Sequence, residues 1–353
     1  MKKRLRVLLT ALIVAASALF TGCSCSGDDT LTFSSILPDD LNAETLSYTV
    51  EYVSDYNEST AKTPSLDNYF TFEYSIGTFS SEYKKASKSD EKIKNSDILE
   101  IKNANGEALV DEVYSLTTDF EIDLKVTVAG SEYTHKEKIT TETYIASSGV
   151  SFAPLYAKED AEYFIITINS AKAEISVLKS VSETFYNKNE YRTVKTTKSF
   201  KPNEAISMDG AETQETTTKY SFRSSIDNAE LLFAVRGLKI EEKSSEKIKA
   251  VSSGFNSPQP LKISNLSSAE KTLELNYNGS TVTENIKYSS LAFSIDNTRT
   301  SGAPQYLSVQ TEATGNVKNT CLLLEYVKPL VVYGDAFMSM GALKFTLNGV
   351  TVS

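Results

Sequence analysis

Apolar and polar residues alternate with a period of two along much of the chain beyond residue 45. An extended chain with this period places its apolar side chains on one face. One buried face and one wet face are typical of antiparallel sheet. The clearest early segment carries on one side the residues Leu46, Tyr48, Val50 and Tyr52. The pattern therefore predicts a mainly β fold, either an antiparallel curved sheet or a β-sandwich.

The most regular hairpin is predicted around residue 130. Residues 119–128 alternate without interruption, and a second alternating segment follows. Gly130 and Ser131 suit a two-residue type II′ turn, whose first central position favours glycine. This register would pair Val128 with Tyr133 and continue along both strands.

Other signals shape the rest of the chain. Asn278-Gly279, between two alternating segments, is a strong hairpin signal. Pro329 lacks an N–H donor, so its strand should lie at an edge or contain a bulge. Residues 80–108, where several lysines mix with Ser, Asp and Glu, break the alternation and predict a solvated loop.

One short helix is predicted near residues 228–236. Asp227 can cap its start, Glu230 completes a capping-box-like pair, and Gly237 can end it. A helix of this length is unstable alone and should pack one apolar face on the sheet. That face consists of Leu231, Val235 and Leu238.

The first residues have the pattern of a secretory leader. A basic start precedes an apolar run over residues 8–19, which is too short to span a bilayer. The stretch Leu19–Cys23 then resembles the lipobox of bacterial lipoproteins. That resemblance implies cleavage before Cys23 and lipid attachment to its sulfur. An ordinary leader cleaved near Ala18 is the alternative, and Cys25 is a competing lipid acceptor with a poorer preceding sequence.

The lipoprotein resemblance gives a domain plan. Residues 1–22 form the signal peptide, residues 23–45 a lipidated flexible tether, and residues 46–353 a β-rich extracytoplasmic region. A Gly/Ser/Pro connector at residues 252–260 is the candidate boundary within that region. The lipid would anchor the protein to the cell membrane or to an outer membrane.

Charge restricts the partners. Loss of the four basic leader residues takes the net charge from −10 to −14. A strongly acidic chain repels nucleic acid, which is therefore not an expected partner. The membrane, reached through the lipid, is the expected partner instead.

The chain is poor in recognisable catalytic and metal-binding chemistry. Its single histidine, His135, has no evident triad partners, so no catalytic, cofactor or metal site is predicted. Carboxylates at Asp119, Glu121 and Asp123 allow a calcium site, but a solvated strand face is favoured. If Cys23 carries lipid, Cys321 either pairs with the cysteine at position 25 or is a buried thiol, and the buried thiol is favoured.

The predicted mature region resembles the curved-sheet proteins that carry lipids or lipoproteins between envelope layers. Residues 227–238, with Arg236 near their end, are also similar to a helix of uncharacterised envelope β-proteins. These resemblances imply a non-catalytic binding module for an apolar ligand or an envelope partner. Two alternatives stay open, namely a carboxylate-based hydrolase of wall polymers and a purely structural surface protein.

Overall fold

A computed structural model describes residues 4–8, 41–54, 70–102, 105–147, 152–169, 172–222, 225–227, 229–251, 258–295, 305–333 and 338–353. This part of the chain forms seventeen strands and one helix. Their bounds are β1 Arg4–Leu8, β2 Ala43–Val53, β3 Phe70–Tyr74, β4 Gly77–Ala86, β5 Glu112–Val128, β6 Ser131–Ser147, β7 Phe152–Asn169, β8 Lys172–Tyr186, β9 Glu190–Phe200, β10 Glu212–Lys219, β11 Ser225–Asp227, α1 Leu231–Gly237, β12 Ser245–Val251, β13 Gln259–Tyr277, β14 Ser280–Ile295, β15 Gln305–Gln310, β16 Leu323–Tyr333 and β17 Met338–Val352.

All these strands belong to one sheet. From β4 to β10 each strand pairs antiparallel with the next, and the same holds from β12 to β17. β17 then pairs with β2, which pairs with β4 and joins the two series. Because β1 pairs with both β7 and β16, eight strands form a closed ring. The predicted curved antiparallel sheet is confirmed.

The concave face of the sheet holds the main core, and α1 lies against it. All seven helix residues are buried. The largest fully buried side chains include several from the ring strands, namely Phe120, Ile122, Tyr326 and Phe345. Two smaller apolar clusters lie apart from this core.

Two local predictions are confirmed. Asn278 and Gly279 form the β13–β14 turn with φ of +49° and +82°, and Tyr277 pairs with Ser280. A two-residue turn with both φ values positive matches the twist of the strands it connects. At Pro329 the β16–β17 ladder has a register shift that accommodates the missing donor.

The predicted register of the β5–β6 hairpin was wrong. Its turn consists of Ala129 and Gly130, with φ of +49° and +78°, so Val128 pairs with Ser131 and Val126 with Tyr133. The shift is two residues along β6, so every side chain keeps its predicted face. A turn of this type requires positive φ at both central residues, which is why glycine occupies the second position here.

The prediction of a solvated loop over residues 80–108 was wrong in two respects. Its first part belongs to β4, which pairs with β5 as far as Ala86. The following turns bury Ile93 and Ile98, with exposed fractions of 1% and 0%. The lysines of this stretch lie at the surface, while Ile93 and Ile98 pack into the core. The polar average composition of residues 80–108 therefore did not indicate these two buried positions. Residues 43–45, which the sequence assigned to the tether, belong to β2.

The predicted helix exists but is shorter and more deeply buried than expected. The Asp227 N–H donates to Glu230 Oε1 at 3.0 Å, and the Ala229 N–H donates to Asp227 Oδ1 at 2.7 Å. These contacts organise the entry, while α1 itself runs from Leu231 to Gly237. The predicted apolar face does pack in the core formed by the sheet, and since all seven helix residues are buried, the packing extends beyond that face. Among the described residues no helix is long and apolar enough to cross a bilayer.

Candidate functional site

A small cavity lies between α1 and the concave face of the sheet. We call it the α1 cavity. Its volume is about 30 Å³, enough for about two water molecules. The helix side of the wall consists of Ala229, Leu232, Phe233 and Arg236. The sheet side consists of Leu46, Tyr48, Phe79, Ser81, Leu116, Thr118, Thr141, Glu159 and Leu323.

A line of polar side chains crosses the sheet at this cavity. Each member lies directly opposite the next in the strand pairings, so all point to the same face. The first four line the α1 cavity. We call this line the polar row, and it consists of Ser81, Thr118, Thr141, Glu159, Ser182 and Lys195. The hydroxyls of Thr118 and Thr141 are hydrogen-bonded at 2.6 Å.

A row of small side chains lies next to the polar row. Thr143, Ala157, Thr184 and Thr193 are paired across four strands. The Thr184 and Thr193 hydroxyls are hydrogen-bonded to each other at 3.0 Å. β11, the strand that precedes α1, lies against β7.

Glu159 is the ionisable member of the row at the cavity wall. It is half-buried, and desolvation raises the pKa of its carboxyl to about 7, partly offset by Lys195. Burial also raises the pKa of nearby Asp227 to about 6, and a hydrogen bond from the Tyr186 hydroxyl opposes this rise. The neighbouring carboxylate of Asp227 raises the pKa of Glu159 further. Near neutral pH, Glu159 can therefore act as a hydrogen-bond donor as well as an acceptor.

A buried ion pair fixes the end of α1. The Arg236 guanidinium lies 2.7 Å from Glu44 Oε1, and the two side chains are 3% and 1% exposed. Arg236 Nε also donates to the Cys321 carbonyl at 2.7 Å. On the other side, Asn319 Nδ2 donates to Glu44 Oε2 at 2.6 Å, and the Tyr277 hydroxyl donates to Asn319 Oδ1 at 3.0 Å. This network connects α1 to β2 and to the segment before β16.

An aromatic contact holds the middle of α1. Phe233 is 4% exposed, and its ring centroid lies 3.8 Å from that of Tyr83. Tyr83 in turn stacks on Tyr114 at 4.6 Å. The Arg236 guanidinium lies 5.4 Å from the centre of the Phe233 ring. The helix is therefore held by one apolar anchor and one charged anchor, both adjoining the cavity.

The residues singled out from the sequence lie away from this cavity. His135 Nε2 is 3.1 Å from Glu162 Oε1, and burial lowers the pKa of the imidazole. Glu121 forms ion pairs with Lys136 and Lys138 on the outer surface. Among the described residues no three His, Cys, Asp or Glu side chains gather as a metal-binding set.

The cysteine predictions have different outcomes. Cys321 is a free thiol, 8% exposed, as the buried-thiol interpretation expected. Cys23 and Cys25 lie outside the described residues, so lipid attachment stays a prediction. The structure describes only residues 258–260 of the connector at residues 252–260, so the boundary there also stays a prediction.

The sequence analysis missed the residues that form the cavity wall. Glu159 lies in a run of charged residues, Lys158–Asp160, and resembles a surface position. The sequence places Arg236 near the end of the predicted helix and Glu44 in the predicted tether, and neither position indicates a buried ion pair. The available signal was alternation, because Ala157, Glu159 and Ala161 share one face of β7. Only the pairing of six neighbouring strands, from β4 to β9, makes that face a polar row.

The Glu159→Gln variant tests the buried carboxyl. The folded pKa of about 7 exceeds the usual 4.5. Protonation therefore stabilises the fold below about pH 4.5, and this contribution is lost as pH rises through 7. Relative to wild type, the free energy of unfolding of Glu159→Gln should increase between about pH 5 and pH 7.5. Urea titrations at both pH values measure this difference. The exposed Glu246→Gln variant should show no such trend, and a flat difference for Glu159→Gln would contradict the assignment.

Comparisons with known proteins give little information about this chain. No family model matches the chain, and no curated protein matches it. A similar solved structure is a beta-barrel-like protein of a domain of unknown function, DUF1849, from Brucella abortus. The match covers 89% of this chain and 98% of that chain, with 9% identity and a TM-score of 0.35. At this TM-score the likeness carries no argument, so fold and site rest on the chain's own pairings and contacts.

Proposed function

We propose that this protein is a non-catalytic, lipid-anchored binding module outside the cytoplasm. Its ligand would be a small amphipathic molecule with an apolar chain and an uncharged, hydroxyl-bearing head group. The ligand would lie between the concave face of the sheet and α1, with α1 displaced but still in contact with it. The supporting observation is the amphipathic wall of the α1 cavity.

The two sides of this wall match the two ends of such a ligand. Leu46, Phe79 and Leu116 offer an apolar surface on β2, β4 and β5. Thr118, Thr141 and Glu159 offer hydrogen-bonding groups on β5, β6 and β7. Binding sites for small molecules commonly combine an apolar lining with a few polar groups that fix orientation. A neutral head group suits Glu159, because the raised pKa of its carboxyl lets it donate a hydrogen bond.

The ligand requires α1 to move, because the cavity of about 30 Å³ is far smaller than an acyl chain. A helix of seven residues has little stability of its own. Its position depends on Phe233 and on the Arg236–Glu44 pair. Replacing a buried ion pair by apolar side chains often increases stability, so the pair is a weak source of stability. We interpret the Arg236–Glu44 pair as the contact that fixes the docked position of α1. Breaking this pair would release the helix from the sheet.

The proposed extracytoplasmic, membrane-anchored location follows from the lipobox-like stretch ending at Cys23. Cleavage before that cysteine and attachment of two or three acyl chains would anchor the domain stably. The acidic body would be repelled by anionic head groups and held away from the surface by its tether. An anchored carrier of this kind can exchange an amphiphile with the adjacent membrane.

The two alternatives from the sequence have less support. A hydrolase of wall polymers needs a cleft that admits a sugar chain between two carboxylates. The carboxyls of Glu159 and Asp227 are close enough to interact, but Asp227 is not part of the α1 cavity wall, so the two do not face a common cleft there. A purely structural role leaves unexplained why buried polar groups line a cavity beneath a short helix.

A single introduced tryptophan tests the binding proposal. The chain contains no tryptophan, so emission from a Phe233→Trp variant reports on α1 alone. A monoacylglycerol with bromine atoms in its acyl chain should quench this emission strongly, because bound chains would lie against the cavity wall. The measurement is a fluorescence titration below the concentration at which the monoacylglycerol forms micelles.

The matched control carries the tryptophan at Ile76, which is 72% exposed. Quenching of Ile76→Trp should be weak and should not saturate. An unbrominated monoacylglycerol should compete with the brominated one at the Phe233→Trp site. Equal quenching at both positions, or no saturation at position 233, would exclude the concave face as the binding site.

A further inference from the structure

A second feature, independent of the α1 cavity, lies where the sheet ring is closed by β1. Five residues of β1 pair antiparallel with β7, from Arg4 opposite Asn169 to Leu8 opposite Ile165. On its other side β1 pairs antiparallel with the end of β16. No ladder joins β7 and β16 directly among the described residues. Within the described chain, β1 is therefore the strand that bridges them.

Among the described residues, both neighbours lack another partner on this edge. The ladder between β6 and β7 ends at the pair Lys138–Glu162. The ladder between β15 and β16 ends at the pair Tyr306–Val327. Beyond these points the edges of β7 and β16 face β1. We call the space that β1 fills the strand slot.

A buried side chain explains why the β6–β7 ladder stops. Glu137, which is 0% exposed, accepts a hydrogen bond from the Phe164 N–H at 3.0 Å. The Glu137 carboxylate satisfies the Phe164 N–H in place of a backbone carbonyl of β6. The β6–β7 pairing therefore ends just before Phe164, and β7 separates from β6 there. Buried Lys328 of β16 interacts electrostatically with Glu137 across the same seam. Residues of β6 and β16 therefore determine where the strand slot begins, and its beginning does not depend on β1.

The occupant of the slot belongs to the segment that processing is expected to remove. Residues 1–22 match a signal peptide, and β1 lies inside them. Without β1, backbone N–H and C=O groups on residues 165–169 and 332–333 lose their partners. An unpaired sheet edge is a template for an added strand. Addition of an extended peptide to such an edge is a recurrent mode of recognition.

We propose that the processed protein binds an extended segment of a partner protein in the strand slot. The segment pairs antiparallel with β7 and with β16 and covers about five residues. Its chemistry resembles that of Arg4–Leu8, in which basic and apolar residues alternate at the start. The net charge of −14 that remains after processing favours a basic segment.

Hydrogen exchange on the processed lipoprotein, purified from its own membranes, tests the proposal. The probe is a synthetic peptide with the sequence of residues 1–10. Its binding should slow amide exchange in residues 165–169 and 332–333. A peptide with proline at the positions of Leu5 and Val7 keeps the charge but lacks two backbone donors. It should bind roughly tenfold more weakly and give little protection.

Cross-linking tests the register. A Thr167→Cys variant should form a disulfide with a peptide that carries cysteine at the position of Arg6, its partner in the ladder. Cysteine at the position of Leu5 should react much less, because neighbouring strand residues point to opposite faces. In the exchange experiment, equal protection by the residue 1–10 peptide and its proline variant, or protection by neither, would overturn the proposal. A purified protein that still carries residues 1–22 would also overturn it, because β1 would then still fill the strand slot.

Discussion

Replacing Arg236 by methionine should lower the free energy of unfolding by about 3–5 kcal/mol. The variant leaves the Glu44 carboxylate buried without its cation, since that side chain is 1% exposed. It also removes the donor to the Cys321 carbonyl. Chemical denaturation followed by circular dichroism measures the change. A loss below about 1 kcal/mol would contradict a buried, paired Glu44.

The double variant Arg236→Met, Glu44→Leu separates the charge from the packing. With both charges removed, the buried-charge penalty disappears, and most of the lost stability should return. Recovery should be incomplete, because Asn319 then loses the acceptor that it contacts at 2.6 Å. A double variant no more stable than the single variant would show that the ion pair is not what positions α1. Arg236→Lys is a further comparison, since lysine cannot reproduce the guanidinium geometry.

Phe233→Ala should cost about 3–5 kcal/mol of stability, as expected for truncation of a buried aromatic side chain. Phe233 is 4% exposed and contacts Tyr83. It also lines the α1 cavity, so its removal enlarges an existing space rather than creating an isolated one. Thermal unfolding of the variant and the wild type measures the loss. The exposed Ile76→Ala variant should change stability by no more than about 0.5 kcal/mol.

The enlarged cavity gives Phe233→Ala a second readout. A ligand that binds the folded state raises the melting temperature, and the rise grows with the logarithm of the ligand concentration divided by its Kd. Monoacylglycerol should therefore raise the melting temperature of Phe233→Ala more than that of wild type. Equal shifts in the two proteins would mean that the ligand binds elsewhere.

Much of the fold was predictable because strand alternation and turn chemistry are local. Asn278-Gly279 specifies its hairpin through two residues that tolerate positive φ. The β5–β6 register was missed because Gly130 suits two different turns, one before and one after it. The two turns differ in the φ angle of Ala129, which is positive in the observed turn. Alanine has no preference for positive φ, so the sequence does not indicate this turn.

The candidate site could not be predicted, because it depends on contacts between distant parts of the chain. Arg236 meets Glu44 across 192 positions, and Glu44 lay in the predicted tether. Glu159 lies among charged residues that are typical of a solvated strand. Its burial depends on strand pairing on both sides of β7 and on the placement of α1 over that face. A short helix with a capping signal was visible in the sequence, but its enclosure by the sheet was not.

Native mass spectrometry of the protein extracted from its own membranes tests the central claim most directly. The account predicts a chain that begins at Cys23, carries acyl chains there, and retains one further small amphiphile. The amphiphile should be released by mild activation, while the covalent acyl chains stay. A chain that carries no acyl groups at Cys23, or one that carries no bound amphiphile, would contradict the account.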